Sequence, residues 1–183
     1  MPLGEGDGDF GRAALGHLDR LYAFACALAR DRQAAEDLVQ ETYLRALRAA
    51  RRPGPDENLQ GWLFTILHNV WRNEARRKRP ESLDSHPEWM GGLAALDPSP
   101  PDALEGERTA ERVATFIDAM PRHLREVIVL RFGEGFSYQQ IANIVGCPAG
   151  TVMSRLSRGR AMVRRAFGPW NGAGNGNAGS AGS

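Results

Sequence analysis

The spacing of apolar residues divides the chain into helix-forming stretches. Apolar positions recur at intervals of three and four, which places them on one face of an α-helix, and no stretch keeps the alternation of a β-strand. The pattern predicts an all-α fold. The predicted stripe of the first helix contains Leu15, Leu18, Tyr22, Cys26 and Ala29. That of the second contains Ala35, Leu38, Val39, Ala46 and Leu47, and that of the third Trp62, Leu63, Ile66, Leu67 and Val70.

Local signals predict where these helices begin and end. Asp31 is the predicted N-cap of the second helix and Asn58 that of the third, because both side chains can accept a hydrogen bond from a free backbone N–H. Pro53 and Pro55 interrupt the helical pattern before the third helix, and Pro80 stops that helix. The basic run RRKR before Pro80 suits the negative end of the helix dipole.

The segment SYQQIANIVGCPAGTVMSRLSRGR, beginning at Ser137, has the pattern of a helix-turn-helix. Ser137 can cap the first helix, Ala142 allows the helices to cross closely, and Gly146 supplies the positive φ of the turn. The last helix is predicted from Ala149 to Phe167. Its inward face contains Val152, Leu156, Gly159 and Val163. Its outward face, which a DNA major groove would meet unless it is simply solvated, contains Thr151, Ser154, Arg155 and Arg158.

Proline, glycine and charge divide the chain into two small helical domains. Residues 81–106 combine four prolines, three glycines and six acidic residues without a helical period, which predicts a flexible acidic linker. Residues 169–183 are rich in Gly, Ala, Ser and Asn and are predicted to form a disordered tail. The predicted domains are residues 9–80 and 107–168, and the first helix of the second domain should end near Met120.

Charge is distributed unevenly although the whole chain carries only +1. Residues 1–80 hold 13 basic and 11 acidic side chains, and residues 107–183 hold 10 basic and 5 acidic. All but one of the basic residues are Arg, whose planar guanidinium suits bidentate contacts to phosphates and guanine edges. The two basic blocks are therefore candidates for nucleic-acid binding, with a general preference for Arg as the alternative.

Several classes of protein are excluded by missing signals. No secretory signal or bilayer-spanning apolar run is present, so we expect a cytoplasmic protein without membrane insertion. Cys26 and Cys147 suggest neither a disulfide framework nor a thiolate metal site. The four histidines are scattered, and no HExxH, phosphate loop or nucleophile elbow is present. We therefore predict no catalytic residue, no metal and no cofactor, and we do not expect an enzyme.

Two further groups of polar residues point to binding. Asp37, Gln40 and Glu41 share one side of the second helix, where they form either a solvated face or a docking patch for a basic partner. The third helix mixes planar rings, amides and guanidinium groups, the types that hold single-stranded DNA, although Trp62 also fits a core position. These residues are Trp62, His68, Asn69, Trp71, Arg72, Asn73, Arg76 and Arg77.

Three segments in fixed order resemble bacterial extracytoplasmic-function (ECF) sigma factors, group 4 of the sigma-70 family. They are AAEDLVQETYLRAL, NLQGWLFTILHNVWRNEARRKR and the helix-turn-helix. The resemblance implies sigma region 2 over residues 9–80 and region 4 over residues 107–168. It also implies RNA polymerase core, promoter DNA and an anti-sigma factor as partners. The chain departs from many members at His68, where Arg is frequent, and at Met153, where a basic residue is common.

The resemblance assigns roles to individual residues. The β′ clamp coiled coil of the polymerase, which with the β flap forms the core contact, would meet Asp37, Gln40 and Glu41. The minus-ten element would be opened and held by Asn69, Arg72, Asn73, Arg76 and Arg77. The minus-thirty-five element would be read by Ser154, Ser157 and Arg158, with Thr151 and Arg155 at phosphates.

The function implied is a transcription initiation factor that directs polymerase to promoters and assists their melting. Two alternatives stay open. A stand-alone helix-turn-helix repressor would bind duplex DNA as a dimer. A sigma-like mimic would sequester a regulator, but such a mimic would be expected to lose Arg155 and Arg158.

Overall fold

The computed structural model describes residues 5–54, 57–78 and 106–168. Within these ranges the chain is helical and has no strand, which confirms the all-α prediction. The predicted linker, up to residue 105, and the predicted tail lie outside the described residues. The helices are α1 (Glu5–Leu15), α2 (Leu18–Ala29), α3 (Arg32–Arg48), α4 (Leu59–Lys78), α5 (Gly106–Ala119), α6 (Arg122–Ile128), a π-helical turn (Val129–Gly133), α7 (Tyr138–Val145) and α8 (Ala149–Phe167).

The predicted helix caps are confirmed. The Asp31 carboxylate accepts a hydrogen bond from the Ala34 N–H at 2.8 Å, and the Asn58 amide oxygen accepts one from the Gly61 N–H at 2.8 Å. Ser137 forms a full capping box at the start of α7. These contacts satisfy backbone donors that the first helical turn leaves free.

The predicted stripe of the first helix is wrong in its register. Leu15 and Leu18 are 58% and 40% exposed, because α1 ends at Leu15 and α2 begins a new helix at Leu18 in a different register. The buried residues of α2 are Leu21, Phe24, Ala25 and Leu28. In α3, the predicted core residue Leu47 is also exposed. The buried face contains Leu38, Thr42 and Ala46, which are four residues apart, and Leu47 lies outside that face.

The helix-turn-helix has the predicted internal packing. Gly146 adopts φ 72°, and its N–H donates to the Ala142 carbonyl at 2.9 Å. The inward face of α8 is buried at all four predicted positions: Val152, Leu156, Gly159 and Val163. A Cβ added to Gly159 would lie 2.8 Å from Ile128 Cγ1, so glycine allows α6 and α8 to approach closely.

The two halves of the described chain, residues 5–78 and 106–168, pack against each other. Helix α4 contacts α2 and α3 of its own half and α7 of the other, while α2 also contacts α6 and the π-helical turn. The Phe64 ring stacks on Phe24 at 5.3 Å between centroids and meets the edge of Phe136 at 5.1 Å. Phe64 therefore joins two predicted domains into one hydrophobic core, which nothing in the sequence indicated.

Candidate polymerase and nucleic-acid interfaces

Helices α3 and α4 form a polar groove of about 390 Å³. The three predicted docking residues line the α3 side of this groove, so the structure brings them together. Asp37 and Gln40 are exposed, and Glu41 is half-buried. Glu41 accepts a hydrogen bond from Arg45 Nε at 2.7 Å. The groove is lined by Asp37, Gln40, Glu41, Leu44, Arg45, Val70, Asn73, Glu74 and Arg77.

The groove combines acidic side chains with an apolar contact. Glu74 adds a third carboxylate from α4, and the exposed Leu44 adds apolar surface beside Glu41. Such a surface suits a basic helix that also carries aliphatic side chains. Sequence reasoning missed Leu44 and Glu74, because only the packing of α4 on α3 brings Glu74 to the groove.

The predicted minus-ten residues divide between two sides of α4. Asn73 and Arg77 are exposed and line the groove, so they lie next to the docking residues of α3. Arg76 is also exposed, whereas Asn69 is half-buried. Arg72 is half-buried against the helix-turn-helix, where a Cβ added to the turn glycine would lie 3.4 Å from its Nη1.

The tryptophans of α4 are packed within the fold. Trp62 is half-buried, with the edge of its ring against Phe10 at 6.1 Å between centroids. Trp71 is only 8% exposed, and the Arg122 guanidinium lies 4.7 Å from its ring centroid. Trp71 is therefore not open to a nucleic-acid base in this arrangement, whereas Trp62 keeps part of its surface exposed.

The predicted minus-thirty-five residues share the outward side of α8. Ser154, Ser157 and Arg158 are exposed, and Thr151 is half-buried. Arg155 differs from them because its side chain is half-buried and Nη1 donates to Glu126 Oε1 at 3.0 Å. The base-reading candidates are thus accessible, while the phosphate candidate Arg155 is already held by a carboxylate.

A buried polar network that the sequence did not reveal connects the two halves. Glu126 of α6 accepts from Arg155 and also lies 3.3 Å from Nε2 of the buried His68 on α4. Buried charges are costly without partners, so these side chains must be placed together by the fold. The only sequence signal was His68 itself, which stands where the resembling family often has Arg.

A second polar contact joins α2 to Glu134, the residue that directly follows the π-helical turn. Arg20 Nε donates to Glu134 Oε2 at 2.7 Å, and Arg20 Nη2 donates to the Glu134 carbonyl at 2.9 Å. Burial raises the pKa of the Glu134 carboxyl, although Arg20 favours its charged form. Glu134 is the buried partner of the pair, because its side chain is 6% exposed and that of Arg20 is 44% exposed.

Arginines also cover the C-terminal end of α5. Arg30 of the first half donates to the Met120 carbonyl at 3.1 Å, and the buried Arg125 donates to the Asp118 carbonyl at 2.6 Å. Burial lowers the pKa of Arg125 to about 10, with a further contribution from Arg30. Cations at this end of a helix interact favourably with its dipole.

Comparison with known protein families identifies the family to which this chain belongs. The family Sigma-70 region 2 matches residues 15–81, and the family Sigma-70, region 4 matches residues 110–163. The ECF RNA polymerase sigma factor EcfG of Rhodopseudomonas palustris is 38% identical over 143 residues, covering 78% of this chain and 76% of that relative. The chain belongs to the ECF family of RNA polymerase sigma factors.

Other members of the family and solved structures agree with this assignment. SigE of Mycolicibacterium smegmatis is 34% identical over 148 residues, covering 81% of this chain and 57% of that relative. The sigma factor RpoE of Bartonella quintana, solved with the anti-sigma factor NepR, has a TM-score of 0.64 and 32% identity over 86% of this chain and 96% of its own. CnrH, solved with the cytosolic domain of CnrY, has a TM-score of 0.58 and 25% identity over 85% of both chains.

As an ECF sigma factor, the protein is a DNA-binding transcription initiation factor that directs RNA polymerase to promoters. Within the part of the chain that the structure describes, no group of three or more His, Cys, Asp or Glu side chains could hold a metal ion. No helix in that part has an apolar stretch long enough to cross a bilayer.

Proposed function

We propose that the α3–α4 groove binds the β′ clamp coiled coil of core polymerase through Asp37, Gln40 and Glu41. The observation that carries this proposal is the position of these side chains in a groove that also contains Leu44 and Glu74. Carboxylates attract a basic partner and fix its register, and Leu44 offers apolar area. In this proposal the β flap supplies a further contact between core and sigma factor.

In this proposal the two long arginine-rich helices, α4 and α8, bind different promoter elements. Asn73, Arg76 and Arg77 are the exposed members of the set on α4 that would open and hold the minus-ten strand, with Asn69 and Arg72 completing it. On α8, Ser154, Ser157 and Arg158 would read the minus-thirty-five element in the major groove. Thr151 and Arg155 would hold phosphates, and for Arg155 this requires exchange of Glu126 for a phosphate oxygen.

The proposed domain boundaries follow from these roles. Residues 9–80 form the core-binding and minus-ten domain and residues 107–168 the minus-thirty-five domain, joined by the acidic linker 81–106 and followed by the tail 169–183. The factor acts in the cytoplasm, catalyses no reaction itself and uses no cofactor. Because the similar sigma factor RpoE was solved with the anti-sigma factor NepR, we also propose an anti-sigma partner for this chain.

Promoter-directed transcription with purified core polymerase tests the docking assignment. Replacing both Asp37 and Glu41 by Arg should abolish holoenzyme assembly and transcription, because like charges at an interface cost several kcal/mol. The matched control replaces the exposed Asp9 and Asp19 by Arg, which makes the same change in charge away from the groove. Normal assembly of the Asp37→Arg, Glu41→Arg variant with an unchanged helical CD spectrum would overturn the assignment.

Templates that are already unpaired across the minus-ten region test the melting role of α4. Arg76→Ala should weaken open-complex formation on duplex promoters more than on unpaired templates. Contacts to the strand are worth about 1–3 kcal/mol per base, and they must drive opening of a duplex but not of a template that is already unpaired. Arg12→Ala, on an exposed arginine of α1, is the control. An equal defect on both templates would contradict a role in opening and leave only a role in holding the strand.

A further inference from the structure

Helix α8 carries an apolar side chain that the fold does not use. Met153 is the fifth residue of the helix and is 50% exposed. Among the described residues of α8 it is the only large apolar side chain that is exposed. Met162, the other methionine of the helix, packs against the hydrophobic core, whereas Met153 does not. Any apolar contact that Met153 makes must therefore come from a binding partner.

The surface around Met153 is formed by small residues. Gly150 lies three positions before it and Ser157 four positions after it, which places all three on one side of the helix. Gly150 and Ser157 are exposed, and so is Ser154, the next residue in the chain. A Cβ added to Gly150 would meet nothing within 4 Å, so open space borders Met153 on this side. The edge of a base pair can therefore reach Met153 without displacing a larger neighbour.

The polar group next to Met153 is already engaged within the helix. Ser154 Oγ donates a hydrogen bond to the Thr151 carbonyl at 3.0 Å. A hydroxyl group has only one hydrogen, so in this arrangement Ser154 can accept a hydrogen bond from a base but cannot donate one. It can meet the amino group of adenine or cytosine, but not the acceptor atoms of guanine or thymine. Recognition of thymine on this part of α8 must therefore use an apolar contact.

Thymine offers the matching apolar group in the major groove. Its C5-methyl is the apolar feature that distinguishes base pairs there, and apolar side chains contact it. The first residues of a recognition helix are those that meet base edges, and Met153 lies in this part of α8. Methionine suits such a contact because its unbranched thioether chain adapts to an irregular surface. The position, the exposure and the chemistry of Met153 thus all fit a thymine methyl group.

We propose that Met153 is a specificity-determining residue that recognises the methyl group of one thymine in the minus-thirty-five element. The inference rests on the proposed function of α8, which brings this side of the helix into the major groove. The role differs from those of Arg158 and Arg155, because Met153 carries no charge and donates no hydrogen bond. Its effect is therefore confined to one base pair and does not depend on salt concentration.

Uracil in place of thymine tests the proposal, because the two bases differ only in the methyl group. Holoenzyme made from the full chain and purified core polymerase is bound to duplex promoters in which each thymine of the minus-thirty-five element, on either strand, is replaced in turn. One replacement should weaken binding by the wild type about fourfold, the effect expected for one buried methyl group. Met153→Ala should bind the thymine and uracil promoters equally, with an unchanged salt slope. Met153→Leu, which keeps a long apolar side chain, should keep most of the difference.

The control is Leu15→Ala, which removes an exposed apolar side chain from α1 and should retain the fourfold difference. The proposal is overturned if no uracil replacement weakens binding by the wild type, or if Met153→Ala keeps the difference. An effect of Met153→Ala that is equal for all base pairs also overturns it, because a general contact would then explain the loss. Arg158→Ala tests the proposed function separately. If Arg158→Ala alone changes base preference, α8 reads the promoter without Met153, and if neither variant changes binding, the proposed function of α8 fails as well.

Discussion

Helices α4 and α8 are alike in length and in their arginine-rich ends, but they differ in their surroundings. Both are long, both are followed or ended by arginines, and both carry residues assigned to promoter DNA. Helix α8 buries one stripe and presents Ser154 and Arg158 to solvent. Helix α4 is buried on two sides, because Phe64 stacks on Phe24 of its own half and His68 lies against Glu126 of the other half.

The difference teaches when a helix face can be assigned from sequence. A helix with one buried stripe has an outward face that follows from the apolar period, as in α8. A helix packed on two sides shows a weak period, and its polar residues divide between exposed and covered positions. On α4, Asn73 and Arg77 fall on the exposed side and Arg72 on the covered one.

Removing the Phe64 ring, which contacts both halves of the described chain, should have the largest effect on stability. Phe64→Ala loses contacts to Phe24 and Phe136 together and should lower the free energy of unfolding by about 3–5 kcal/mol. Urea denaturation followed by CD measures the loss. Leu15→Ala, at an exposed site, is the control and should stay within about 0.5 kcal/mol. A loss for Phe64→Ala as small as that of the control would mean that the ring does not support both halves.

The accessible face of α8 should separate base reading from phosphate contact. Arg158→Ala should cost about 1–3 kcal/mol on the preferred minus-thirty-five sequence and reduce discrimination at one base pair. Arg155→Ala should weaken all sequences alike and lower the salt slope by about one unit. Holoenzyme binding to a set of single-base promoter variants at two salt concentrations distinguishes them. The opposite result, with Arg155→Ala changing base preference, would reverse the two assignments.

Two glycines of α8 test how closely its buried side is packed. Gly159→Ala places a methyl group within 3 Å of the buried Ile128 side chain and should destabilise the protein by about 1–3 kcal/mol. Gly150→Ala meets nothing within 4 Å and should stabilise the helix by up to about 1 kcal/mol. Thermal unfolding of the two variants should therefore shift in opposite directions. Equal shifts would show that α6 moves to accept the extra methyl.

The smallest expected difference in stability between α4 and α8 concerns their N-terminal caps. Asn58 caps α4 with its side chain, whereas α8 begins after Pro148 without a side-chain cap. Asn58→Ala should cost about 1 kcal/mol in unfolding free energy because the Gly61 N–H loses its acceptor. Ser157→Ala, at an exposed interior position of α8, should change stability by less than about 0.5 kcal/mol. Indistinguishable midpoints in urea would show that water replaces the cap without loss.

Features that depend on near neighbours could be predicted from the sequence. Asp31, Asn58 and Ser137 cap the helices that follow them, because a cap needs only an acceptor and a backbone N–H three residues later. The turn at Gly146 and the buried face of α8 follow from residues within one helical hairpin. The docking residues of α3 share a side because positions three and four apart do so on any α-helix.

Tertiary structure decided what depends on distant residues. The register of α2 changed because Leu21 and Phe24, and not Leu18, meet the helices packed on it. Glu74 reached the groove of Asp37 only through the packing of α4 on α3. His68 and Glu126 lie 58 positions apart, so no local period links them. Their pairing follows from burial, because a charged group leaves water only where another part of the chain supplies its partner.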